Sequence, residues 1–142
     1  MEEKNIQKIE DEIIDDFSVF DDWIQKYEYI IEFGKNLPSM DNVYKTESNK
    51  VAGCQSQVWL DTTFKNGKVL FEADSDAIIT KGLVGLLVRV LSNQKPQNII
   101  NARLEFIDKI GMKEHLSPNR SNGLVSMISH MKKNAELYLQ LN

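Results

Sequence analysis

Cys54 is the one cysteine in the 142 residues, and its thiol is the side chain best suited to nucleophilic chemistry. It lies in the segment 51–57 (VAGCQSQ), directly before a strand-like run. Gly53 permits a sharp loop or a close backbone approach, and Gln55 and Ser56 supply polar groups that can bond a loop backbone. Reactive side chains are often carried on loops, whereas a buried free cysteine acts as a small hydrophobe. The residues alone leave both interpretations open, a reactive thiol and an inert cysteine in a pure binding module.

A cysteine hydrolase is a second chemical possibility, and it would need a base beside the thiol. His115 and His130 are the two histidines that could serve, and neither lies in a recognisable signature. Zinc and iron–sulfur sites take about four ligands, mostly cysteines, so these residue types predict no metal or cluster. The sequence also has no Gly-rich phosphate loop. We therefore expect a chain without a cofactor of its own.

Helical spacing of apolar residues predicts two helices before the cysteine. The first contains Ile6 and Phe17 on its apolar face. The second begins near Trp23, with Asp21 as its N-cap, and ends at Gly34. Two helices therefore precede the cysteine loop in the sequence.

Alternating apolar residues on either side of a turn predict a β-hairpin after the cysteine. Residues 57–64 and 68–73 are its strands, and the Asn-Gly pair at 66–67 is a strong hairpin signal. Residues 40–49 are polar and predict a loop, and residues 50–51 predict a short third strand. The cysteine would then lie between two strands of a small antiparallel sheet.

Helices are predicted again after the hairpin. Residues 76–91 are apolar nearly all round, Ile78 included, so we expect them to form the central buried helix. Short helices are predicted from Pro96 and over residues 104–110, whereas residues 118–122 (PNRSN) predict a turn before a long C-terminal helix. Helices, a small antiparallel sheet and further helices indicate the α+β class.

Charge and hydropathy exclude several classes of function. The net charge is −4, and residues 1–22 hold nine acidic side chains and two lysines. A chain without a basic cluster is a poor candidate for nucleic-acid binding. The longest apolar run, residues 82–88, is far shorter than the roughly 20 residues of a membrane-spanning helix. We expect no contact with nucleic acid or membrane.

Length and composition favour one domain over residues 1–142, because 42% hydrophobic and 27% charged residues are ordinary for a globular protein. The acidic, polar start lacks the basic and apolar regions of a secretory signal. A single cysteine cannot form an intramolecular disulfide, so the expected compartment is the cytoplasm.

Four segments, in this order, resemble the SufE family of cysteine-desulfuration proteins. They are residues 27–38 (YEYIIEFGKNLP), 53–59 (GCQSQVW), 74–82 (DSDAIITKG) and 115–124 (HLSPNRSNGL). Four ordered blocks are more specific than one motif, and the resemblance runs from about Trp23 into the C-terminal helix. Residues 1–20, expected to form an acidic N-terminal helix, lie outside the matched blocks.

The resemblance implies a compact α+β fold similar to the IscU-type iron–sulfur scaffolds. It also implies a non-enzymatic role. A pyridoxal-phosphate cysteine desulfurase, SufS-like, would pass persulfide sulfur to Cys54, the chain would stimulate that desulfurase, and the sulfur would go on to a SufBCD-like scaffold. IscU-type scaffolds bind clusters through several cysteines, so one cysteine argues against cluster assembly here. A CsdE-like chain serving another desulfurase shares these motifs and stays open.

The resemblance also assigns places to the residues near the cysteine. It implies that Cys54 lies in a partly buried apolar cavity beneath its loop, and that Asp76 and Arg120 lie near this loop on the desulfurase-docking face. The simpler interpretations are a helix N-cap for Asp76 and a solvated turn residue for Arg120.

Overall fold

Helices precede and follow a β-hairpin in the computed structural model, which describes residues 5–139. This arrangement confirms the predicted α+β class. The elements, in chain order, are α1 (Ile6–Ser18), α2 (Trp23–Lys35), β1 (Val58–Lys65), β2 (Lys68–Ser75), α3 (Ile78–Leu91), α4 (Pro96–Asn101), α5 (Phe106–Lys109), α6 (Met112–His115) and α7 (Pro118–Leu139). Residues 1–4 of the acidic N-terminal segment lie outside the described part. No helix within residues 5–139 is long and apolar enough to cross a bilayer.

The hairpin forms where the alternating pattern and the Asn-Gly turn predict it. β1 and β2 pair antiparallel, with Val58 opposite Ser75 at the open end. Asn66 and Gly67 have φ angles of 55° and 78°, the left-handed pair that a tight two-residue hairpin turn requires. The sheet therefore opens toward the cysteine loop, which enters it at Val58.

The predicted third strand is reduced to one bridge. Lys50 pairs with Trp59 as an isolated antiparallel bridge, and the Val51 amide donates to the Val58 carbonyl oxygen at 2.9 Å. The polar loop before it contains two short 3-10 turns, Asn42–Tyr44 and Glu47–Asn49. The bridge closes the base of the loop that carries the cysteine.

Helix α3 is the buried centre of the fold, as its all-round apolar sequence predicts. It packs against α2 at backbone contact, and glycines make that contact possible. A Cβ on Gly82 would clash with the carbonyl oxygen of Ile30, and one on Gly34 would come within 2.9 Å of the Gly82 nitrogen. Helices α2 and α3 therefore pack closely because Gly34 and Gly82 have no side chains between the two backbones.

Three boundary predictions are wrong for local reasons. Asp22, not Asp21, caps α2 by accepting from the Gln25 amide at 2.9 Å. Residues 118–122 form the first turn of α7 rather than a separate turn, because proline suits the first position of a helix as well as it suits a turn. The helix predicted over residues 104–110 is confined to α5, since Leu104 has a φ of 55°.

Ile78 departs from the prediction that α3 is buried along its whole length. It is the first residue of the helix, and 69% of its surface is exposed. Apolar periodicity predicts that a residue belongs to a helix, but it does not show whether the first turn of that helix packs on the core.

Candidate functional site

The cysteine loop, residues 52–57, approaches α7 closely at Gly53. This glycine has a φ of 89°, in the region that side chains disfavour. A Cβ added to it would clash with the Ser126 hydroxyl of α7. Both reasons for a glycine that the sequence suggests, a sharp loop and a close approach, therefore apply at this position.

Cys54 is half-buried between its loop and α7. Its Sγ donates a weak hydrogen bond to the carbonyl oxygen of Gly123 at 3.6 Å. Burial raises the pKa of the Cys54 thiol, and no neighbouring charge opposes that effect. The resting side chain is therefore a protonated thiol, which is a poor nucleophile.

Hydrogen bonds hold the loop on two sides. Toward α7, the Gln55 side chain accepts from Asn119 at 3.0 Å. Toward β2 and α3, the carboxylate of Asp76 accepts from the backbone amide and the side-chain amide of Gln57, at 3.0 and 3.3 Å. Asp76 is not the N-cap of α3, since Ala77 takes that position without a side-chain bond. The two contacts fix the cysteine between α7 and the start of α3.

An open cleft of about 640 Å3 lies beside the thiol. We call it the Cys54 cleft; its lining residues are Cys54, Gln55, Ser56, Asp76, Ala77, Ile78, Ile79, Thr80, Leu83, Ser117, Asn119, Arg120, Gly123 and Met127. Leu83 and Met127 are fully buried and form an apolar floor, whereas Asn119 and Arg120 are exposed polar residues. The cavity is therefore apolar only in its deeper part.

The cleft brings together most of the residues singled out from the sequence. Cys54, Gln55, Ser56, Asp76 and Arg120 all line it, although Asp76 and Arg120 are 22 and 66 positions after the cysteine. Within residues 5–139, the Arg120 guanidinium has neither a hydrogen bond nor an ion pair. It is thus a positive charge available at the surface of the site.

The two histidines lie outside the cleft. The His115 ring packs on Trp23, with ring centres 4.2 Å apart, and its carbonyl oxygen accepts from Tyr27. His130 is half-buried on α7, where burial, and then the charge of Lys133, lowers its pKa. The arrangement gives Cys54 no imidazole base, which a cysteine hydrolase requires.

Sequence reasoning missed the residues of α7 that support the loop. Asn119, Gly123 and Ser126 contact Gln55, Cys54 and Gly53 in turn. These α7 positions are spaced four and three residues apart, so they share one helix face. That spacing of small and polar residues was the available signal, but it does not identify what the face contacts.

Metal-ligating side chains are dispersed in the part of the chain that the structure describes. No group of three or more His, Cys, Asp or Glu side chains there is placed to hold a metal ion.

Comparison with known proteins decides the family. The family model described as "SufE: Fe-S metabolism associated domain" matches residues 11–135. The chain belongs to the SufE family. The match begins within α1, so it reaches further toward the N-terminus than the resemblance from about Trp23.

Relatives of the SufE-family chain are similar to it in sequence over most of its length. A SufE-like protein of Rhizobium meliloti is 46% identical over 131 residues, which cover 89% of this chain and 94% of that protein. The SufE-like protein 1, chloroplastic/mitochondrial, of Arabidopsis thaliana is 44% identical over 117 residues, 82% of this chain but 31% of that longer protein. A hypothetical protein of Thermus thermophilus, solved in solution, has a TM-score of 0.77 at 19% identity, covering 93% of this chain and 96% of that one. This last likeness shows the fold alone.

The Cys54 thiol of the folded SufE-family chain is expected to react slowly with iodoacetamide. Burial raises its pKa, and only the thiolate is nucleophilic. The alkylation rate should rise with pH along a curve whose midpoint lies above that of the urea-unfolded chain, measured by mass spectrometry at timed intervals. Equal rates and midpoints for the folded and unfolded chains would contradict the half-buried placement.

Proposed function

We propose that this SufE-family chain accepts persulfide sulfur on Cys54 from a SufS-like, pyridoxal-phosphate cysteine desulfurase. It raises the turnover of that desulfurase and delivers the sulfur to a SufBCD-like scaffold for iron–sulfur cluster assembly. The observation that carries the proposal is a lone, tethered, half-buried thiol beside an open cleft without a base. Family membership in Fe-S metabolism supports it.

The transfer is an exchange between sulfur atoms. The Cys54 thiolate attacks the outer sulfur of the donor persulfide, a new S–S bond forms on Cys54, and the donor S–S bond breaks with the donor thiolate as leaving group. The thiol proton goes to solvent, and no external oxidant or reductant is consumed. Because the chain has no other cysteine, no internal thiol can attack the loaded persulfide and release sulfide.

Transfer requires the tip of the loop to move outward. The half-buried Sγ must come within bonding distance of the partner's sulfur, and the contacts that oppose this are few. They are the Gln55–Asn119 bond between exposed side chains, the weak Cys54–Gly123 bond and the packing of Gly53 on Ser126. Docking that breaks these contacts would expose the thiol, which is a small order-changing switch.

The same alkylation measurement tests this movement. A desulfurase whose own active cysteine is replaced by serine should accelerate the reaction of Cys54 with iodoacetamide. Bovine serum albumin with its thiol blocked serves as the control protein. An unchanged rate with saturating desulfurase would refute loop opening on docking.

The proposed role needs no cofactor or metal bound to this chain, and the pyridoxal phosphate belongs to the partner. The chain acts as a sulfur carrier and activator rather than as an enzyme with its own substrate turnover. We place this activity in the cytoplasm, where thiols stay reduced.

Desulfurase turnover with and without the chain tests the proposal, using both a SufS-like and a CsdA-like enzyme. Stimulation of the SufS-like enzyme supports the proposal, and stimulation of only the CsdA-like enzyme favours the CsdE-like alternative. His115→Gln and His130→Gln should leave stimulation intact, since neither histidine lines the cleft. Loss of stimulation in either variant, with the fold retained, would favour the cysteine hydrolase, which needs a histidine as its base.

Arg120→Ala is expected to raise several-fold the concentration of chain that gives half-maximal stimulation. Its guanidinium is exposed in the cleft and unpaired within the described residues, so it is suited to a carboxylate of the docking enzyme. The melting temperature should change little. Arg103→Ala is the matched control, because that side chain is 85% exposed and lines a different groove. Equal effects of the two variants would argue against a docking role for Arg120.

Asp76 is proposed for the same docking face, but its carboxylate also holds Gln57. Asp76→Ala should therefore weaken stimulation and loosen the loop together. Comparing the Cys54 alkylation rate of this variant with that of Arg120→Ala separates the two effects.

A further inference from the structure

Ile78 is a large apolar side chain exposed in the same cleft as the Cys54 thiol. It lines the Cys54 cleft, begins α3 and has 69% of its surface exposed. The other large apolar side chains exposed within residues 5–139 do not line this cleft; they are Val19, Ile24, Val43, Tyr44, Val125 and Leu137. Ile78 thus combines exposure with proximity to the site of transfer.

Any protein that delivers sulfur to Cys54 must cover this part of the surface. The donor sulfur must approach Sγ to about 2 Å to form the S–S bond. A stable interface covers about 800 Å2 on each partner, a patch about 30 Å across, and the thiol lines an open cleft of about 640 Å3. A contact area of that size centred on Cys54 covers the exposed residues at the mouth of the cleft, Ile78 among them.

Outward movement of the loop does not remove Ile78 from that area. The base of the loop is closed by the hydrogen bond from the Val51 amide to the Val58 carbonyl oxygen. Gln57, the last residue of the loop, donates its backbone amide to the carboxylate of Asp76, two residues before Ile78. The tip can move, but its base remains beside the start of α3.

We propose that Ile78 is the main apolar contact by which the desulfurase recognises this chain, an inference that rests on the proposed function. The occupant is a protein surface with an apolar recess next to its persulfide-bearing cysteine. Binding hot spots lie near the centre of an interface, within a ring of contacts that excludes water; an aliphatic anchor in a partner's pocket with a polar rim is one such arrangement. Asp76, Asn119 and Arg120 provide those polar residues around the cleft.

The test compares Ile78→Asp with Ile24→Asp. Ile24 is a matched control, because it is also an isoleucine in the first turn of a helix and is 71% exposed. An aspartate in the first helical turn is favoured by the helix dipole, so both variants should fold and melt close to the wild type. Ile78→Val keeps an apolar contact and serves as the conservative rescue.

The readouts are the dissociation constant for a SufS-like desulfurase with its active cysteine replaced by serine, and the concentration for half-maximal stimulation of the intact enzyme. Ile78→Asp should raise both by about tenfold or more and leave the maximal stimulated rate at saturation unchanged. Ile24→Asp and Ile78→Val should stay within about twofold of the wild type. If Ile78→Asp unfolds, Ile78→Ser takes its place.

Two outcomes overturn the inference, and they differ in what they say of the proposed function. If Ile78→Asp and Ile24→Asp bind equally well while the wild type gains sulfur on Cys54, Ile78 is not the contact and the sulfur-carrier role stands. If the wild type neither binds the desulfurase nor gains sulfur, both proposals are wrong.

Discussion

Replacing Cys54 by serine is expected to abolish sulfur acceptance and stimulation of the desulfurase completely. No second cysteine in the 142 residues can take its place, and a hydroxyl does not become the nucleophile of thiol–disulfide exchange. The fold should persist, because serine is nearly isosteric and the 3.6 Å bond from Sγ to the Gly123 carbonyl oxygen that it gives up is weak. We expect the free energy of unfolding to stay within about 1 kcal/mol of the wild type, measured by urea denaturation.

A relocated thiol provides the control for Cys54→Ser. Adding Ser129→Cys to that variant restores one exposed cysteine on α7, outside the cleft. Stimulation should remain absent, because the position of the thiol matters as well as its presence. Full stimulation by Cys54→Ser alone would show that the sulfur does not pass through Cys54.

Gly82→Ala is expected to cause the largest loss of stability among the glycine-to-alanine substitutions in this chain. Its Cβ would clash with the backbone carbonyl of Ile30, and neither helix backbone can yield without moving the α2–α3 contact at the centre of the core. Overpacking of this kind costs about 1–3 kcal/mol and sometimes more. We expect about 3 kcal/mol, a large part of the roughly 5–15 kcal/mol that stabilises a typical domain.

Gly85→Ala on the same helix is the matched control. The nearest atom to its added Cβ is the Phe33 carbonyl oxygen at 3.1 Å, so a small adjustment is enough. Alanine also favours the helical state by about 0.5–1 kcal/mol relative to glycine, which offsets part of the cost. Equal urea midpoints for the two variants would contradict the backbone contact at Gly82.

The parts of the fold that the sequence predicts well are those determined by local chemistry. Asn66-Gly67 specifies the hairpin turn by its left-handed φ angles, and the apolar run of α3 identifies the central helix. Prediction is weaker where one residue type serves two structures. Pro118 suits a turn and a helix start equally, so the first turn of α7 looks like a loop in the sequence.

The residues of the candidate site also fall into two groups, those that the sequence identifies and those that it does not. The type of residue at position 54 identifies the thiol, and the SufE-like blocks place Asp76 and Arg120 near it. The supporting contacts with Gly123 and Ser126 join positions about 70 residues apart, and a single sequence carries no direct signal for such a pairing. The sequence does not predict the exposure of Ile78 either, because that exposure depends on where the first turn of α3 lies relative to the core.

Mass spectrometry of the wild-type chain tests the sulfur-carrier account most directly. The chain is incubated with a SufS-like desulfurase and free cysteine, the desulfurase is removed, and the peptide that contains Cys54 is analysed without reductant. The account predicts a mass gain of one sulfur atom on Cys54, reversed by reductant and absent when cysteine is omitted. An unmodified Cys54 under conditions in which the desulfurase turns over, or sulfur found on any other residue, would contradict it.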